Sequence, residues 1–382
     1  MDLKNLSFIF IALLFFSCSS LSVKEKLDID EKYDWLMPEG NPSRTSISKS
    51  DYNLNPPFKK IWDYSNEASY PSENIVVSDG LLFSANLKGE VYAVNVSDGS
   101  TVGSFSTSSP SSINSILIYK NNIILTKTGD DKKSVISYDI LNGRENWNQD
   151  LGWVQTSPVI SDDNIIVGNM EGYIYSLNPE RGFINWKFKD DSEYKSNQFT
   201  SPPSVYNKCI YAGNVNGILY AVDLTAGKMK WKFRTGDAIY SSCSIYDDKI
   251  FFSSYDSYLY CLDTSGNLIW KNNLRTKTVS AFSFYKESAI TAAIDGYVYA
   301  LNKNNGEFIW KFRSEGSIWA SPLIHNDKIF IGSFDKNFYC LNAENGEKLW
   351  HYLTDGKIRS NAVIWKDLIF VSSDDRNIYC FR

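Results

Sequence analysis

Histidine is almost absent from this sequence of 382 residues, since only His325 and His351 occur. That scarcity excludes a metal site built from several histidines and leaves few candidates for a histidine general base. Basic residues do not dominate either, because the formal net charge is −5. The chain therefore lacks the electrostatic footprint of a nucleic-acid-binding protein, and we expect no nucleic-acid partner.

Long apolar runs are missing too. The one candidate, residues 6–16 (LSFIFIALLFF), has the length of a signal-peptide core and is too short to span a bilayer comfortably. The Ser-Cys-Ser-Ser that follows resembles a bacterial lipobox, in which the cysteine becomes the lipidated amino terminus. We predict a signal peptide over residues 1–17, lipidation at Cys18, and an outer-membrane lipoprotein that contacts the membrane only through its lipid. An ordinary cleaved signal with an incidental cysteine is the alternative.

Paired cysteines are also lacking. Five cysteines remain beyond Cys18, and no two are adjacent or spaced as C-x-x-C. This pattern predicts neither a redox motif nor a haem attachment site. Cys261, Cys340 and Cys380 each follow a tyrosine at a repeated position where other repeats carry alanine or serine. We therefore interpret them as small core residues.

Aromatic residues, by contrast, make up 15% of the chain, and some of them recur regularly. The pattern Gly-x-x-x-Trp returns every 39–45 residues, with its tryptophans at Trp147, Trp186, Trp231, Trp270, Trp310 and Trp350. A further copy has Gly99, followed by Gly103 where a tryptophan is expected. Each copy contains four short runs of β-branched and aromatic residues bounded by turn residues. Four strands in about 40 residues are typical of a β-propeller blade.

The two ends of the chain fit the same scheme. The last copy, residues 360–382, stops after its third strand, and residues 58–64 (FKKIWDY), which contain Trp62, can supply the fourth. The sequence thus predicts an all-β, eight-bladed β-propeller of four-stranded blades over residues 58–382, with its last blade closed by the N-terminal strand. A solenoid would not need a split repeat. Residues 18–57 would form a tether, flexible up to about residue 33, and then a segment packed on the propeller.

The repeated tryptophans have a structural interpretation. A large aromatic residue at one place in every blade, Trp62 included, packs one sheet against the next. The glycine four residues earlier predicts a turn with positive φ, and the Asp or Asn before it predicts a side chain that caps that turn. None of these residues needs a direct functional role.

A family resemblance rests on two stretches. The pattern Ala-x-Asp-x-x-x-Gly-x-x-x-Trp over residues 221–231 resembles the tryptophan-docking repeat of the PQQ-type, quinoprotein-like propeller superfamily. Residues 34–45, with their Asp-Trp and Gly-Asn-Pro-Ser-Arg-Thr, resemble the segment before the first blade in many members. The superfamily holds both enzymes and binding proteins, so the fold alone leaves the function open.

Two kinds of function are compatible with this superfamily. A quinoprotein dehydrogenase would hold PQQ and Ca²⁺, but the adjacent cysteine pair and long insertions of many such enzymes are missing here. A compact propeller on a lipid anchor instead resembles the BamB-like lipoproteins, which the resemblance implies are scaffolds for outer-membrane β-barrel assembly without catalysis or cofactor. We expect a non-enzymatic, monomeric propeller that binds a protein partner in the envelope, such as the barrel-assembly subunit. A ligand-binding propeller of another envelope complex is the alternative.

Candidate binding residues come from the loops that link consecutive blades, because these loops gather at one mouth of the central channel. The position two residues before the first-strand serine holds Gln155, Phe199, Tyr240, Trp319 and Arg359. Tyrosine, tryptophan and arginine are enriched at binding hot spots. These residues either contact a peptide or small ligand or simply plug the channel.

One inter-blade loop, residues 189–199, is longer than the others. In the BamB-like family the resemblance implies that the corresponding loop contacts the barrel subunit. We therefore add Tyr194, Lys195 and Asn197 as candidate partner-binding residues, with a tolerated surface insertion as the alternative.

Overall fold

The computed structural model describes residues 20–107, 112–128, 132–191 and 197–382. Within these residues the chain forms 32 β-strands in eight four-stranded antiparallel sheets. The first strands of neighbouring sheets contact one another, as β10 (Val159–Ser161) and β14 (Ser204–Tyr206) do. These strands therefore surround the centre of a ring, and the predicted eight-bladed propeller is confirmed.

Blades 1 to 4 each contain four consecutive strands, ordered from the channel outward. Their bounds are β2 Ile75–Ser78, β3 Leu81–Ala85, β4 Glu90–Asn95 and β5 Thr101–Ser106 in blade 1; β6 Ser112–Tyr119, β7 Asn122–Thr128, β8 Val135–Asp139 and β9 Arg144–Gln149 in blade 2; β10 Val159–Ser161, β11 Asn164–Gly168, β12 Ile174–Leu177 and β13 Ile184–Phe188 in blade 3; and β14 Ser204–Tyr206, β15 Cys209–Gly213, β16 Ile218–Asp223 and β17 Met229–Arg234 in blade 4.

Blades 5 to 7 repeat this order, and blade 8 combines the two ends of the chain. Their bounds are β18 Ser244–Tyr246, β19 Lys249–Ser253, β20 Tyr258–Asp263 and β21 Leu268–Asn273 in blade 5; β22 Ser283–Tyr285, β23 Ser288–Ala292, β24 Tyr297–Asn302 and β25 Phe308–Arg313 in blade 6; β26 Leu323–His325, β27 Lys328–Gly332, β28 Asn337–Asn342 and β29 Lys348–Leu353 in blade 7; and β30 Val363–Trp365, β31 Leu368–Ser372, β32 Asn377–Phe381 and β1 Lys60–Ser65 in blade 8.

The closure of blade 8 confirms the split repeat. Strand β1 pairs antiparallel with β32, so that Trp62 lies opposite Cys380 and Tyr64 lies opposite Ile378. The first and last strands of the propeller are thus hydrogen-bonded to each other. The ring closes without leaving an unpaired sheet edge between its ends.

Burial along the strands explains their composition. The second strand of blade 4 (CIYAG) is buried at every residue, because both of its faces pack on neighbouring blades. The fourth strand of that blade (MKWKFR) alternates between exposed and half-buried residues from Lys230 onward. This period of two is expected of an outer strand with one face in solvent.

Six of the seven docking tryptophans join their blade to the next by the same two contacts. The Trp231 indole Nε1 donates to the carbonyl of Thr264 at 3.0 Å, and its ring covers Gly266, where an added Cβ would come within 2.8 Å of the ring. Equivalent pairs of indole donor and carbonyl acceptor are Trp62–Val96, Trp147–Pro179, Trp186–Leu224, Trp270–Lys303 and Trp310–Ala343. These six tryptophans therefore pack one blade against the next.

The residues around each joint follow from its geometry. The Asp223 carboxylate accepts hydrogen bonds from the backbone N–H groups of Thr225 and Ala226, which caps the turn that ends at Gly227. On the neighbouring strand a small residue lies opposite the indole. The cysteines fill that place in blades 5, 7 and 8, where the pairs are Cys261–Trp270, Cys340–Trp350 and Cys380–Trp62.

Two joints depart from the repeat. Trp350 meets Phe58 of blade 8 edge to face, with the ring centroids 5.2 Å apart. In blade 1, where Gly103 replaces the tryptophan, the space beside it is filled by Leu21, whose backbone would lie 3.1 Å from a Cβ at Gly103. Leu21 is 0% exposed, so the amino-terminal segment completes the joint between blades 1 and 2.

This docking corrects the expectation of a flexible tether up to residue 33. Leu21 and Val23 are both buried, and their backbone N–H groups donate to the carbonyls of Ser104 and Ile140. The sequence offered no periodicity to indicate this contact. It follows from the missing indole at Gly103, which leaves apolar surface that another side chain must cover.

Replacing Trp270 with alanine tests the joint. Trp270 is 7% exposed, so the change removes a buried indole and its bond to the Lys303 carbonyl. We expect the free energy of unfolding, measured by urea denaturation with circular dichroism, to fall by about 3–5 kcal/mol. Trp153→Ala is the control, because Trp153 is 55% exposed and its loss should change stability by less than ~1 kcal/mol. Equal losses would contradict this role of the joint.

Leu21→Asp tests the docked segment. Burying a carboxylate is unfavourable enough to release residues 20–27, so trypsin should cleave at Lys24 and Lys26 at least about tenfold faster. The matched control is Ser22→Asp, which places the same charge one residue along at an exposed position. If both variants resist cleavage like the parent, the segment does not depend on Leu21.

Candidate functional site

The base of the central channel is closed by residues 34–50. The backbone of Trp35 exchanges two hydrogen bonds with Val77 in blade 1, at 2.8 and 2.9 Å. The same segment then pairs with the first strands of blades 2, 4, 5 and 7, through the contacts Leu36–Ile118, Pro42–Val205, Ser43–Ile245 and Ser46–Ile324. It occupies backbone groups that would otherwise remain unpaired on the inner edges of these sheets.

A buried ion pair lies at the centre of this closure. The Arg44 side chain is fully buried; its Nε donates to the carbonyl of Pro203 at 2.7 Å, and its Nη1 lies 3.3 Å from Glu39 Oε2. Its Nη2 donates to the carbonyls of Ser157 and Pro158. A single guanidinium therefore links blades 3 and 4 to the amino-terminal segment, using donors in the fixed fork that arginine provides.

Glu39 connects the same segment to the other side of the ring. Its carboxylate accepts hydrogen bonds from Ser242 Oγ at 2.7 Å in blade 5 and Ser321 Oγ at 3.1 Å in blade 7. Burial, together with the nearby Glu73 carboxylate, raises the pKa of Glu39 from 4.5 to about 7, although Arg44 opposes this shift. Removal from water disfavours the charged form more than these partners restore it.

Above this floor the channel opens into a cavity of about 370 Å³. Four of the predicted residues, Gln155, Tyr240, Trp319 and Arg359, line this one cavity, and the structure therefore brings them together from different blades. Each of these residues precedes the first strand of its blade. Because the first strands run from the mouth of the channel to its base, these residues lie at the mouth.

The side chains of the rim support one another. Trp319 stacks on Phe334 with ring centroids 5.4 Å apart, and the Arg359 guanidinium lies 5.6 Å from the centre of the same Phe334 ring. Arg359 also pairs with the Asp374 carboxylate. Because Trp319 remains 46% exposed, the rim presents a supported aromatic surface to solvent.

Phe199 does not reach this mouth. It is 1% exposed, and its ring meets Tyr220 edge to face with centroids 5.6 Å apart. The next residue, Thr200, lines the cavity instead. Two prolines follow Ser201 in blade 4, so Thr200, and not Phe199, takes the place before the first strand that Gln155 holds in blade 3. In an extended chain, a shift of one residue moves a side chain to the opposite face.

The long loop is described only at its ends. Tyr194 and Lys195 lie outside the described residues, as do Cys18 and the signal segment. Asn197 is buried; its Nδ2 donates to the carbonyl of Asp190, and its Oδ1 accepts from Asn216. These bonds hold the end of the loop on the propeller, so Asn197 positions the loop without offering an exposed side chain.

Several residues of the site escaped the sequence reasoning. Glu39 and Glu73 both line the cavity. Glu39 lies in the segment before the propeller, where the repeat gives no signal, whereas Glu73 lies two residues before the first strand of blade 1, the place that Ser157 holds in blade 3. Tyr255, Phe334 and Asp374 could have been found, because each follows the serine after the second strand, in blades 5, 7 and 8. Tyr255 supports Tyr240, with ring centroids 4.5 Å apart, much as Phe334 supports Trp319.

The donor set does not fit a PQQ-type quinone with its calcium ion. Such a quinone carries several carboxylates, whereas the described cavity lining holds Glu39 and Glu73 and a single cation, Arg359, already paired with Asp374. Like charges brought close together in a partly desolvated site repel strongly. Across the described ranges, no three His, Cys, Asp or Glu side chains converge as a metal site would require.

The two histidines do not contribute to the mouth. His325 is buried; its Nε2 contacts the carbonyl of Tyr52 at 2.8 Å, and burial lowers the pKa of its imidazole. His351 lies on the outer strand β29. Neither lines the cavity, so the site has no histidine to act as a general base.

No helix within the described residues is long and apolar enough to cross a bilayer.

These features first define a class: a closed eight-bladed β-propeller whose blades are joined by PQQ-type tryptophan repeats. A family model described as outer membrane protein assembly factor BamB matches residues 53–265 and 256–379. Since these matches cover most of the chain, the protein belongs to the BamB family. A comparison with curated proteins gives no significant match.

Solved structures share the fold at low sequence identity. BamB from Moraxella catarrhalis is 19% identical, with a TM-score of 0.70 over 85% of this chain and 97% of that chain. Quinohemoprotein alcohol dehydrogenase from Comamonas testosteroni is 13% identical, with a TM-score of 0.78 over 92% and 81%. The computationally designed Ika8 protein is 12% identical, with a TM-score of 0.73 over 85% and 99%. At these identities the likeness shows the fold alone.

The raised pKa of Glu39 predicts a pH dependence of stability. Between about pH 4.5 and 7 the folded chain retains a proton on Glu39 that the unfolded chain releases, so stability falls as the pH rises through this window. Glu39→Gln stays neutral and lacks this loss. The difference in unfolding free energy, parent minus variant, should therefore decrease from pH 4.5 to 7.5. A difference that is constant or increases would contradict the direction of the shift.

Proposed function

We propose that this protein is a non-catalytic, protein-binding scaffold of the bacterial envelope that takes part in outer-membrane protein assembly. Membership of the BamB family over residues 53–379 supports this assignment. The chain is a propeller with compact blades, in which four strands and short turns account for each repeat. The partner we propose is the barrel-assembly subunit, bound by a monomeric propeller.

The observation that carries the proposal is the shape and chemistry of the channel mouth. Trp319, Tyr240 and Arg359 surround a cavity that the protein itself closes from below with Glu39 and Arg44. A closed floor leaves a shallow receptor with no passage behind it. Trp319 is exposed and Tyr240 and Arg359 are half-buried. Aromatic and arginine side chains of this kind, each supported by a neighbouring ring, have the composition of a protein-binding hot spot.

The same mouth argues against the chemistry of the quinohemoprotein dehydrogenases that share the fold. The acidic lining formed by Glu39 and Glu73 disfavours a polyanionic quinone, and Arg359 is engaged by Asp374. We therefore propose that the function is binding, not catalysis. A cavity of about 370 Å³ also has the size of a small-ligand pocket, so a ligand-binding propeller remains the second candidate.

Attachment to the envelope forms the second part of the proposal. We propose that residues 1–17 are a signal peptide, that Cys18 is lipidated, and that the lipid holds the propeller on the periplasmic side of the outer membrane. The apolar run at residues 6–16 and the Ser-Cys-Ser-Ser after it support this assignment.

Affinity capture of the full chain from its native envelope in mild detergent tests the binding function. We expect the barrel-assembly subunit to be identified by mass spectrometry in the captured material. A double change, Trp319→Ala with Arg359→Ala, should weaken the purified pair by about 30-fold or more, as a loss of ~2 kcal/mol at a hot spot implies. A Gly/Ser replacement of residues 192–196 tests the long loop separately.

The control is Phe308→Ala, which removes an apolar side chain that is 51% exposed on the outer strand of blade 6. This variant should bind like the parent. If the mouth variant and the loop variant both capture the barrel-assembly subunit as well as the parent does, the proposed binding surfaces are wrong. Recovery of a bound quinone or sugar, with no envelope protein, would favour the ligand-binding propeller.

A further inference from the structure

The amino-terminal segment leaves the propeller at a fixed place. Ser20 forms a parallel bridge with Ser104 on the outer strand of blade 1, and the N–H of Leu21 donates to the Ser104 carbonyl at 2.9 Å. The N–H of Val23 then donates to the carbonyl of Ile140 in blade 2 at 2.8 Å. Residues 20–23 are thus held on the outer rim where these two blades meet.

Side-chain contacts hold the same residues. Leu21 fills the space beside Gly103, and its carbonyl accepts a hydrogen bond from the Tyr138 hydroxyl at 3.1 Å. The other side of the segment lies against Gly143, where an added Cβ would meet Ser20 at 3.3 Å. A segment that is buried and hydrogen-bonded on both sides does not sweep through space like a Gly/Ser linker.

We propose that this outer rim of blades 1 and 2, around Gly103 and Gly143, is the surface of the propeller that faces the bilayer. The inference rests on the proposed lipidation of Cys18. Only Ser19 lies between Cys18 and Ser20, and an extended chain spans at most about 3.6 Å per residue, or roughly 7 Å over these two steps. A lipid on Cys18 therefore holds the rim against the membrane surface.

This attachment fixes the orientation of the binding site. The channel axis runs through the centre of the ring, and the rim faces outward from that axis. When the rim of blades 1 and 2 rests on the bilayer, the ring stands on its edge. The mouth with Tyr240, Trp319 and Arg359 then opens sideways along the membrane, toward a partner embedded in the same bilayer.

Two labelling positions distinguish this orientation from others. Arg144 follows Gly143 in blade 2, and Glu307 follows Gly306 at the same turn position in blade 6, four blades away around the ring. Both residues are exposed. The five ring cysteines are free but buried, and burial raises the pKa of the Cys261 and Cys340 thiols to about 12. A new exposed cysteine is therefore labelled selectively, because the thiolate is the reactive form.

The experiment uses the full lipidated chain in vesicles of phosphatidylethanolamine and phosphatidylglycerol that contain a headgroup-linked quencher. A fluorophore on Arg144→Cys should be quenched several-fold more strongly than one on Glu307→Cys. Equal quenching at both positions, or stronger quenching at Glu307→Cys, would overturn the orientation.

Two controls separate this inference from the proposed anchor. Mass spectrometry of the amino-terminal peptide measures the lipid on Cys18, and a chain without it would overturn the anchor and the orientation together. A lipidated chain with equal quenching would overturn the orientation alone. A Gly/Ser insertion of about ten residues before Ser20 adds a reach of roughly 16–19 Å while Leu21 stays docked. The quenching at the two positions should then converge, and a difference that persists would contradict the role of the short connection.

Discussion

The contact between each indole and the turn of the next blade is the interaction on which the ring depends. This contact restricts which residues can occupy the two sides of the joint. The glycine under the ring has positive φ and no room for a Cβ, as at Gly266 beneath Trp231. The capped Asp or Asn turn presents the carbonyl that the indole N–H needs, since a buried donor without a partner is costly. A ring of eight sheets closes only if every joint holds. The joints after blades 1 and 7 lack the usual contact between indole and glycine, and Leu21 and Phe58 complete them.

The second constraint acts at the centre of the ring. First strands that surround a channel leave unpaired backbone groups, and residues 34–50 satisfy many of them. The buried pair of Arg44 and Glu39 anchors that segment to blades on opposite sides of the ring. A buried ion pair gives little net stability, but losing one partner leaves an uncompensated charge, so the pair fixes the path of the segment.

These two constraints also shape the function. The closed base converts a channel into a shallow mouth, and the carboxylates that help to close it give the mouth an acidic floor. An assembly factor, a dehydrogenase and a designed protein share this fold, so the ring by itself does not determine the activity. Here the mouth offers supported aromatic rings and one arginine, the features on which the proposed binding function rests.

The sequence by itself determined the period, the number of blades, the docking role of the tryptophans and the split last blade. It could do so because each blade repeats one local pattern, and turns, strand periodicity and small residues are read from near neighbours. It also found four of the residues that line the mouth, since these too hold a fixed place in the repeat.

Only the tertiary structure decided what depends on contacts between distant segments. Phe199 lies in the core because two prolines in blade 4 shift its equivalence by one residue, which the spacing alone did not reveal. Glu39 reaches the floor of the mouth, and Leu21 replaces a missing indole, through segments that carry no repeat. Their positions are set by the space and the unpaired groups that the closed ring leaves. Such complementarity exists only once the blades have assembled.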